Sequence, residues 1–184
     1  MNTPLYLFVG KSASGKTTIA NLLEQERNYK QVQSYTTRKP RYEGETGHIF
    51  ITEEEFDNLG ELAAYTFYNG NKYGTTVQQV DECNIYVIDI PGVETLLKNY
   101  KSERTIYIIY FDVSVYTRIQ RMLERGDHDG AIISRLLEDE QHDWLEQLRQ
   151  IAAKSSKQNL WVYPVNAELE PAHIIKDVLW FVQF

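Results

Sequence analysis

The chain predicts an α/β fold with a parallel sheet, carrying a small inserted subdomain of short strands. Two observations lead there. Short apolar runs alternate with helix-length amphipathic stretches through most of the 184 residues. One stretch, 36–84, breaks that alternation and is rich in Thr, Tyr, Gly and charge. The length suits one domain with a sizeable core. Composition agrees, with 42% apolar and 24% charged residues. No internal repeat or low-complexity stretch stands out.

The elements follow in order. Leu5-Tyr6-Leu7-Phe8-Val9, closed by Gly10, reads as a buried strand, and 15–26 as a helix with Ile19, Ala20, Leu22 and Leu23 on one face. In the inserted stretch, Thr52-Glu53-Glu54-Glu55 is a capping box opening a helix near 53–60. Ile85–Ile88 is a second buried strand, ended by Asp89 and the breaker pair Pro91-Gly92, and Thr105–Phe111 is a third. Ser114 caps a helix over 115–125, with Gly126 at its C′ position. A long amphipathic helix is expected next, with Ile133, Leu137, Trp144, Leu148 and Ile151 on one face. Leu160–Pro164 completes the strands and 171–183 forms a terminal helix.

Composition also excludes function classes. Net charge is −7, from 26 acids against 19 bases, so no general affinity for nucleic acid or an anionic membrane surface is expected. No apolar run approaches the roughly 18 residues of a membrane helix. The single cysteine, Cys83, excludes an internal disulfide framework and a Cys-based zinc site. Met1-Asn2-Thr3-Pro4 lacks the features of a secretory signal, so a cytoplasmic location is the expectation. The four histidines, His48, His128, His142 and His173, show no metal-ligand spacing.

Gly10-Lys11-Ser12-Ala13-Ser14-Gly15-Lys16-Thr17 is the strongest chemical signal and matches G-x-x-x-x-G-K-[ST] at every position. Glycines let the backbone curl until successive N–H groups converge on phosphate oxygens, and the helix that begins there adds its positive end. Lys16 can reach the β and γ phosphates, and the Thr17 hydroxyl can ligate Mg²⁺. An apolar strand before the loop and a helix after it supply the required context. A nucleoside triphosphate site over Gly10, Ser12, Ala13, Ser14, Gly15, Lys16, Thr17 and Thr18 is expected.

Ser34-Tyr35-Thr36-Thr37-Arg38-Lys39-Pro40-Arg41 is the second informative stretch. Two planar bidentate donors three residues apart, hydroxyls before them and a restraining proline suit an anion clamp; read alone, the segment also fits an exposed basic turn. Asp89 reads either as a helix cap before Pro91-Gly92 or as an acid near Mg²⁺ at the carboxyl end of a buried strand.

Together these residues resemble the guanylate kinase family. The clamp matches its Ser-x-Thr-Thr-Arg-x-Pro-Arg segment, followed here by Gly44-Glu45-Thr46-Gly47, and Gly70-Asn71-Lys72-Tyr73-Gly74-Thr75 matches its Gly-Asn-x-Tyr-Gly-[ST] stretch. Arg121, Arg125-Gly126 and Arg135-Leu136 resemble its mobile lid, and Val165-Asn166 its segment beside the donor adenine. The resemblance implies a P-loop three-layer α/β fold with a helical lid. Its units would be a core (1–35, 85–124 and 152–184), a monophosphate-binding insertion (36–84) and the lid (125–151). It implies ATP with Mg²⁺ as donor and a nucleoside monophosphate, foremost GMP or dGMP, as acceptor. Ser34, Arg38, Arg41 and Tyr73 would hold the acceptor phosphate, with Thr75 near its base and Asp89 beside the metal or its waters. Lys16, Arg121, Arg125 and Arg135 would neutralise the moving phosphoryl group, and Asn166 would lie near the adenine. A monomer or homodimer is expected.

The chain departs from that pattern at three places. The segment Gly47-His48-Ile49-Phe50 is shorter than the family's, so its phosphate-binding tyrosine is either replaced by His48 or lost, and Ala64-Tyr65 stands where a guanine-reading Glu is expected, with Glu61 the nearest acid. Pro91 replaces the second acid of an Asp-x-Asp strand end. A site that reads guanine through such acceptors loses discrimination without them. This motivates an alternative acceptor, another or modified deoxynucleotide or a ribose bisphosphate. A non-catalytic protein-binding module of the same fold is the remaining alternative.

Overall fold

The computed structural model describes residues 3–40 and 43–180. Its elements run β1 (Leu5–Val9), α1 (Lys16–Arg27), β2 (Ser34–Thr36), β3 (His48–Phe50), α2 (Glu53–Asp57), β4 (Leu62–Tyr68), β5 (Asn71–Thr76) and α3 (Val77–Asp81). They continue with β6 (Ile85–Val87), α4 (Ile90–Asn99), β7 (Ile106–Asp112), α5 (Val115–Glu124), α6 (Asp129–Asp139), α7 (Trp144–Lys154), β8 (Leu160–Asn166) and α8 (Pro171–Trp180).

Among the described residues, two four-stranded sheets form. One is wholly parallel, in the order β6-β1-β7-β8; the other is mixed, in the order β3-β2-β5-β4. Every residue of β1 is buried, which is why its sequence is a continuous apolar run instead of an alternating one. The pleat sends Leu5, Leu7 and Val9 into a cluster with Val93 and Leu96 of α4 and Leu148 of α7. Tyr6 and Phe8 go to the opposite face, against Ile19 and Leu23 of α1 and Ile174 and Val178 of α8. Helices thus cover both faces of the parallel sheet, giving three layers. The β1–α1 connection leaves from the carboxyl end of a central strand, where the flanking strands β6 and β7 diverge in chain order and a crevice opens.

Several expectations need correction. Pro91-Gly92 does not break the chain: it lies in the first turn of α4, where a missing proline N–H costs nothing, and Asp89 caps that helix by accepting the Gly92 N–H at 2.8 Å. The expected long helix after Gly126 is two helices, α6 and α7, and Asp143 starts the second by accepting the Glu146 N–H at 3.0 Å. Ile133 and Leu137 do not face the core; Ile132 does, whereas Trp144, Leu148 and Ile151 pack on the α4 side of the sheet. Strand β8 runs through Pro164, which its edge position tolerates. Residues 181–183 of the expected terminal helix lie outside the described residues.

Arg104, on the approach to β7, fastens the base of the sheet. Its guanidinium donates to the carbonyls of Thr3 (2.8 Å), Val80 (2.8 Å), Pro4 (3.1 Å) and Cys83 (2.8 Å). It is buried. Removing it leaves acceptors of two chain segments unpaired at once. Arg104→Met should cost about 2–4 kcal/mol in urea unfolding while leaving substrate affinities within about twofold of wild type.

Candidate active site

The loop from Gly10 to Thr17 closes on itself. Ala13 (φ 61°) and Gly15 (φ 94°) take left-handed backbone, and between them the Ser14 N–H donates to the Lys11 carbonyl at 3.2 Å. A Cβ at Gly10 would lie 2.8 Å from Ser14 Oγ and 3.0 Å from both Phe111 Cβ and the Phe111 carbonyl, so only glycine fits between the loop and β7. Lys16 Nζ folds back and donates to the carbonyls of Gly10 (2.6 Å) and Lys11 (3.0 Å) and to Ser14 Oγ (3.2 Å). Desolvation lowers its ammonium to about 8, against a smaller opposing pull from Asp139.

Two cavities meet at this lysine. The first, of about 410 Å³, is lined by Ala13 to Thr18, by Arg121 and Arg125, and by Ala167, Leu169, Pro171 and Ile174. It joins the loop and the cations Lys16, Arg121 and Arg125 to an apolar shelf, the pairing a triphosphate and a base require. Thr17 is exposed in it, and its hydroxyl suits Mg²⁺ shared with phosphate oxygens and waters. Among the described residues no cluster of three or more His, Cys, Asp or Glu could hold a metal by itself. Arg121 already lies against the loop, donating to the Ala13 carbonyl at 3.3 Å and the Ala167 carbonyl at 2.8 Å. Asn166 does not line this cavity; its side chain accepts the Glu168 N–H at 3.0 Å and shapes the turn that places Ala167 there.

The second cavity, of about 940 Å³, lies between the loop and the mixed sheet. Gly10, Ser12 and Lys16 form one end, and Ser34, Arg38, His48, Tyr73 and Asp89 are on its wall. Ser34 Oγ and His48 Nδ1 lie 2.9 Å apart, joining β2 to β3. Arg38 makes a bidentate pair with Glu45 (3.1 and 2.8 Å), which holds the guanidinium firmly protonated. Its Nε is buried with no hydrogen-bond partner among the described residues, an orphaned donor of the kind an anion satisfies. Arg41 lies outside the described residues. Thr75 is fully buried behind Tyr86, 2.6 Å from its hydroxyl, and Tyr86 is the member of the pair that reaches the cavity. Asp89 is both a helix cap and a cavity residue, and Thr66 also donates to it at 2.8 Å.

The remaining two arginines sit apart from the loop. Arg125, which lines the first cavity, and Arg135, which lines neither, both pair with Asp127, whose carboxyl they hold below the usual range. Sequence reasoning missed three residues that touch the loop: Arg118 and Asp139 at Ser12, and Glu140 at Lys11. One signal was present, since Arg118 falls four residues before Met122 on the buried stripe of α5, where a charge is out of place.

Comparison with known proteins bears on this geometry. Residues 2–142 match the guanylate kinase family. The chain is 31% identical over 146 residues to a guanylate kinase of Geobacter metallireducens, spanning 73% of this chain and 71% of that one. It is 33% identical over 151 residues to a guanylate kinase of Synechocystis, spanning 74% and 78%. This chain belongs to the guanylate kinase family. A crystal structure of guanylate kinase from Anaplasma phagocytophilum shares the fold, with TM-score 0.55 and 18% identity over all of this chain and 86% of the other. No described helix is long and apolar enough to cross a membrane. Of the positions at which this family member departs from the expected guanine-reading pattern, Ala64 and Pro91 line the second cavity, whereas Glu61 does not.

The lowered Lys16 sets a pH dependence. A polyphosphate favours its ammonium form, so above about pH 8 binding must draw a proton from the buffer. Calorimetric titration of ATP at about pH 9, in buffers of differing ionisation heat, should show uptake approaching one proton. Uptake should be much smaller near pH 7, and affinity should fall as pH rises across that window.

Proposed function

We propose that this chain transfers the terminal phosphoryl group of ATP to a nucleoside monophosphate, GMP or dGMP, giving the diphosphate. The observation that carries the reading is the position of Lys16 at the junction of the two cavities, one built for a triphosphate and one walled by Ser34, Arg38 and Tyr73. ATP as co-substrate follows from membership of the family.

The chemistry asks little of a general base. The second pKa of a phosphate monoester is about 6, so the attacking oxygen is already mostly ionised at neutral pH. The task is to bring two anions together and to stabilise charge on the group in flight. Lys16 and the loop amides hold the donor phosphates. Arg38 meets the acceptor phosphate with its unpaired Nε, supported by Ser34, His48 and Tyr73. Mg²⁺, held by Thr17 together with phosphate oxygens, would neutralise the β and γ oxygens when ATP is bound. Arg121 is in place beside the loop, and Arg125 and Arg135 move from Asp127 onto the transferring group as the 125–151 lid closes. Closure also excludes water that would otherwise hydrolyse ATP. Carboxylates of Asp89, Glu94, Glu138 and the Arg118-paired Asp139 share the acceptor cavity, and an acid accepting from N1–H and the amino group separates guanine from adenine. The mixed sheet serves as the acceptor unit, and a cytoplasmic enzyme acting as a monomer or homodimer fits this reading.

ADP formation from ATP and Mg²⁺ with GMP, dGMP, AMP, dTMP, CMP and UMP in turn tests it. Turnover should be fastest with GMP or dGMP, and turnover with none of the six would refute the reading. Lys16→Ala should fall below about 1% of wild-type turnover with an unchanged circular dichroism spectrum. Arg38→Ala should raise the KM for the monophosphate about tenfold or more and leave the KM for ATP within about twofold.

A further inference from the structure

The last turn of α6 carries three consecutive acids, Glu138, Asp139 and Glu140, at the helix end that repels negative charge, with no basic residue in that turn. Each has a partner elsewhere in the fold. The Tyr68 hydroxyl, on β4, donates to Glu138 at 2.6 Å. Glu140 pairs with Lys11 at 2.9 Å and with Arg118 at 2.6 Å. Asp139 is buried, accepts the Ser12 N–H at 2.8 Å and pairs with Arg118.

Arg118 is fully enclosed, at 0% exposure. Its Nε donates to the Ser12 carbonyl at 2.9 Å. Both backbone polar groups of Ser12 are therefore claimed by one ion pair, the N–H by Asp139 and the carbonyl by Arg118. Ser12 directly precedes Ala13, the non-glycine residue of the loop held at positive φ. An enclosed ion pair is a poor source of stability, because desolvation offsets its attraction and an apolar pair of similar volume packs as well or better. What it supplies here is direction: two fixed hydrogen bonds to one residue of the loop. Lys11 and Arg118 balance the charges of Asp139 and Glu140, and Glu138, held by the neutral Tyr68 hydroxyl, is the one acid of the three without a cation partner among the described residues.

We propose that Arg118 and Asp139 form a positioning pair that holds the Ser12 residue so that the loop is already shaped for a triphosphate before it arrives. The inference rests on the loop being the ATP site. It also explains why the end of α6, ten residues beyond the start of the lid helix, touches the loop at all. Arg118 lines neither cavity, and Asp139 borders the second one beside Ser12; both act here through the backbone of Ser12.

The test separates positioning from packing. Arg118→Met and the double variant Arg118→Met with Asp139→Leu are compared with wild type in three measurements: ATP binding by calorimetry, the KM values for ATP and GMP, and thermal unfolding. Arg118→Met should weaken ATP binding about tenfold or more, raise the KM for ATP in parallel and leave the KM for GMP within about twofold. The double variant, with no unpaired buried charge, should regain the wild-type melting temperature yet keep the ATP defect. It also decides the matter if the single variant does not fold. Wild-type ATP affinity in the double variant overturns the inference and leaves the donor site standing. Failure of the wild-type protein itself to bind ATP overturns the donor-site reading and this inference with it.

Discussion

A phosphate-binding loop is a concave array of N–H donors and one ammonium, and such an array repels itself when no anion fills it. The rest of the site depends on how that repulsion is contained. Here Lys16 turns its charge onto the carbonyls of Gly10 and Lys11, and the Lys11 carbonyl also accepts the Ser14 N–H. Gly10 is pressed against Phe111 closely enough to exclude any side chain. The Arg118–Asp139 pair grips Ser12 from outside. The loop thus pays for its shape in buried charge and in left-handed backbone at Ala13, both of which cost stability. Little reorganisation is then left for the moment of binding.

The acceptor side follows the same logic with a different device. Arg38 is held by Glu45 through two bonds, which fixes the plane of the guanidinium and leaves one buried donor without a partner. A side chain already immobilised loses less entropy on meeting a phosphate than a free one. Arg125 and Arg135, by contrast, share Asp127 on an exposed turn, where solvent keeps such pairs weak and easily exchanged. Arg38 is thus rigidly held and Arg125 and Arg135 loosely held, the combination that the proposed transfer, with its last cations assembling around two anions, would use.

Much of this was legible in the sequence because it obeys local rules. The β1–loop–α1 unit is written in a contiguous apolar run, a spaced Gly-Lys-Thr motif and a helical stripe. The capping box at Thr52–Glu55 and the cap at Ser114 form as their side chains dictate, with Thr52 accepting the Glu55 N–H at 3.2 Å and Ser114 the Thr117 N–H at 3.2 Å. Local rules failed where a residue satisfied two demands. Pro91-Gly92 reads as a stop, yet proline also suits a first helical turn, and the upstream cap at Asp89 decides between them. The apolar spacing of 133–151 reads as one face, but the chain breaks at 140–143 into two helices, so the spacing does not carry across, and Ile133 and Leu137 are exposed while Leu148 enters the core.

The amino-acid order by itself determined the buried strand β1, the Gly-Lys-Thr bend after it and the helix caps at Thr52 and Ser114, since each is set by neighbours within a few residues. Only the tertiary structure decided that Lys16 belongs to two cavities, that Thr75 is sealed behind Tyr86, and that Arg118 and Asp139 meet at Ser12. Those contacts join positions 106 and 127 residues from Ser12 along the chain. Their charges look like errors in the helices that carry them, a cation on a buried stripe and acids at a negative helix end. They become favourable only when the fold brings each opposite charge and backbone dipole to within hydrogen-bonding reach.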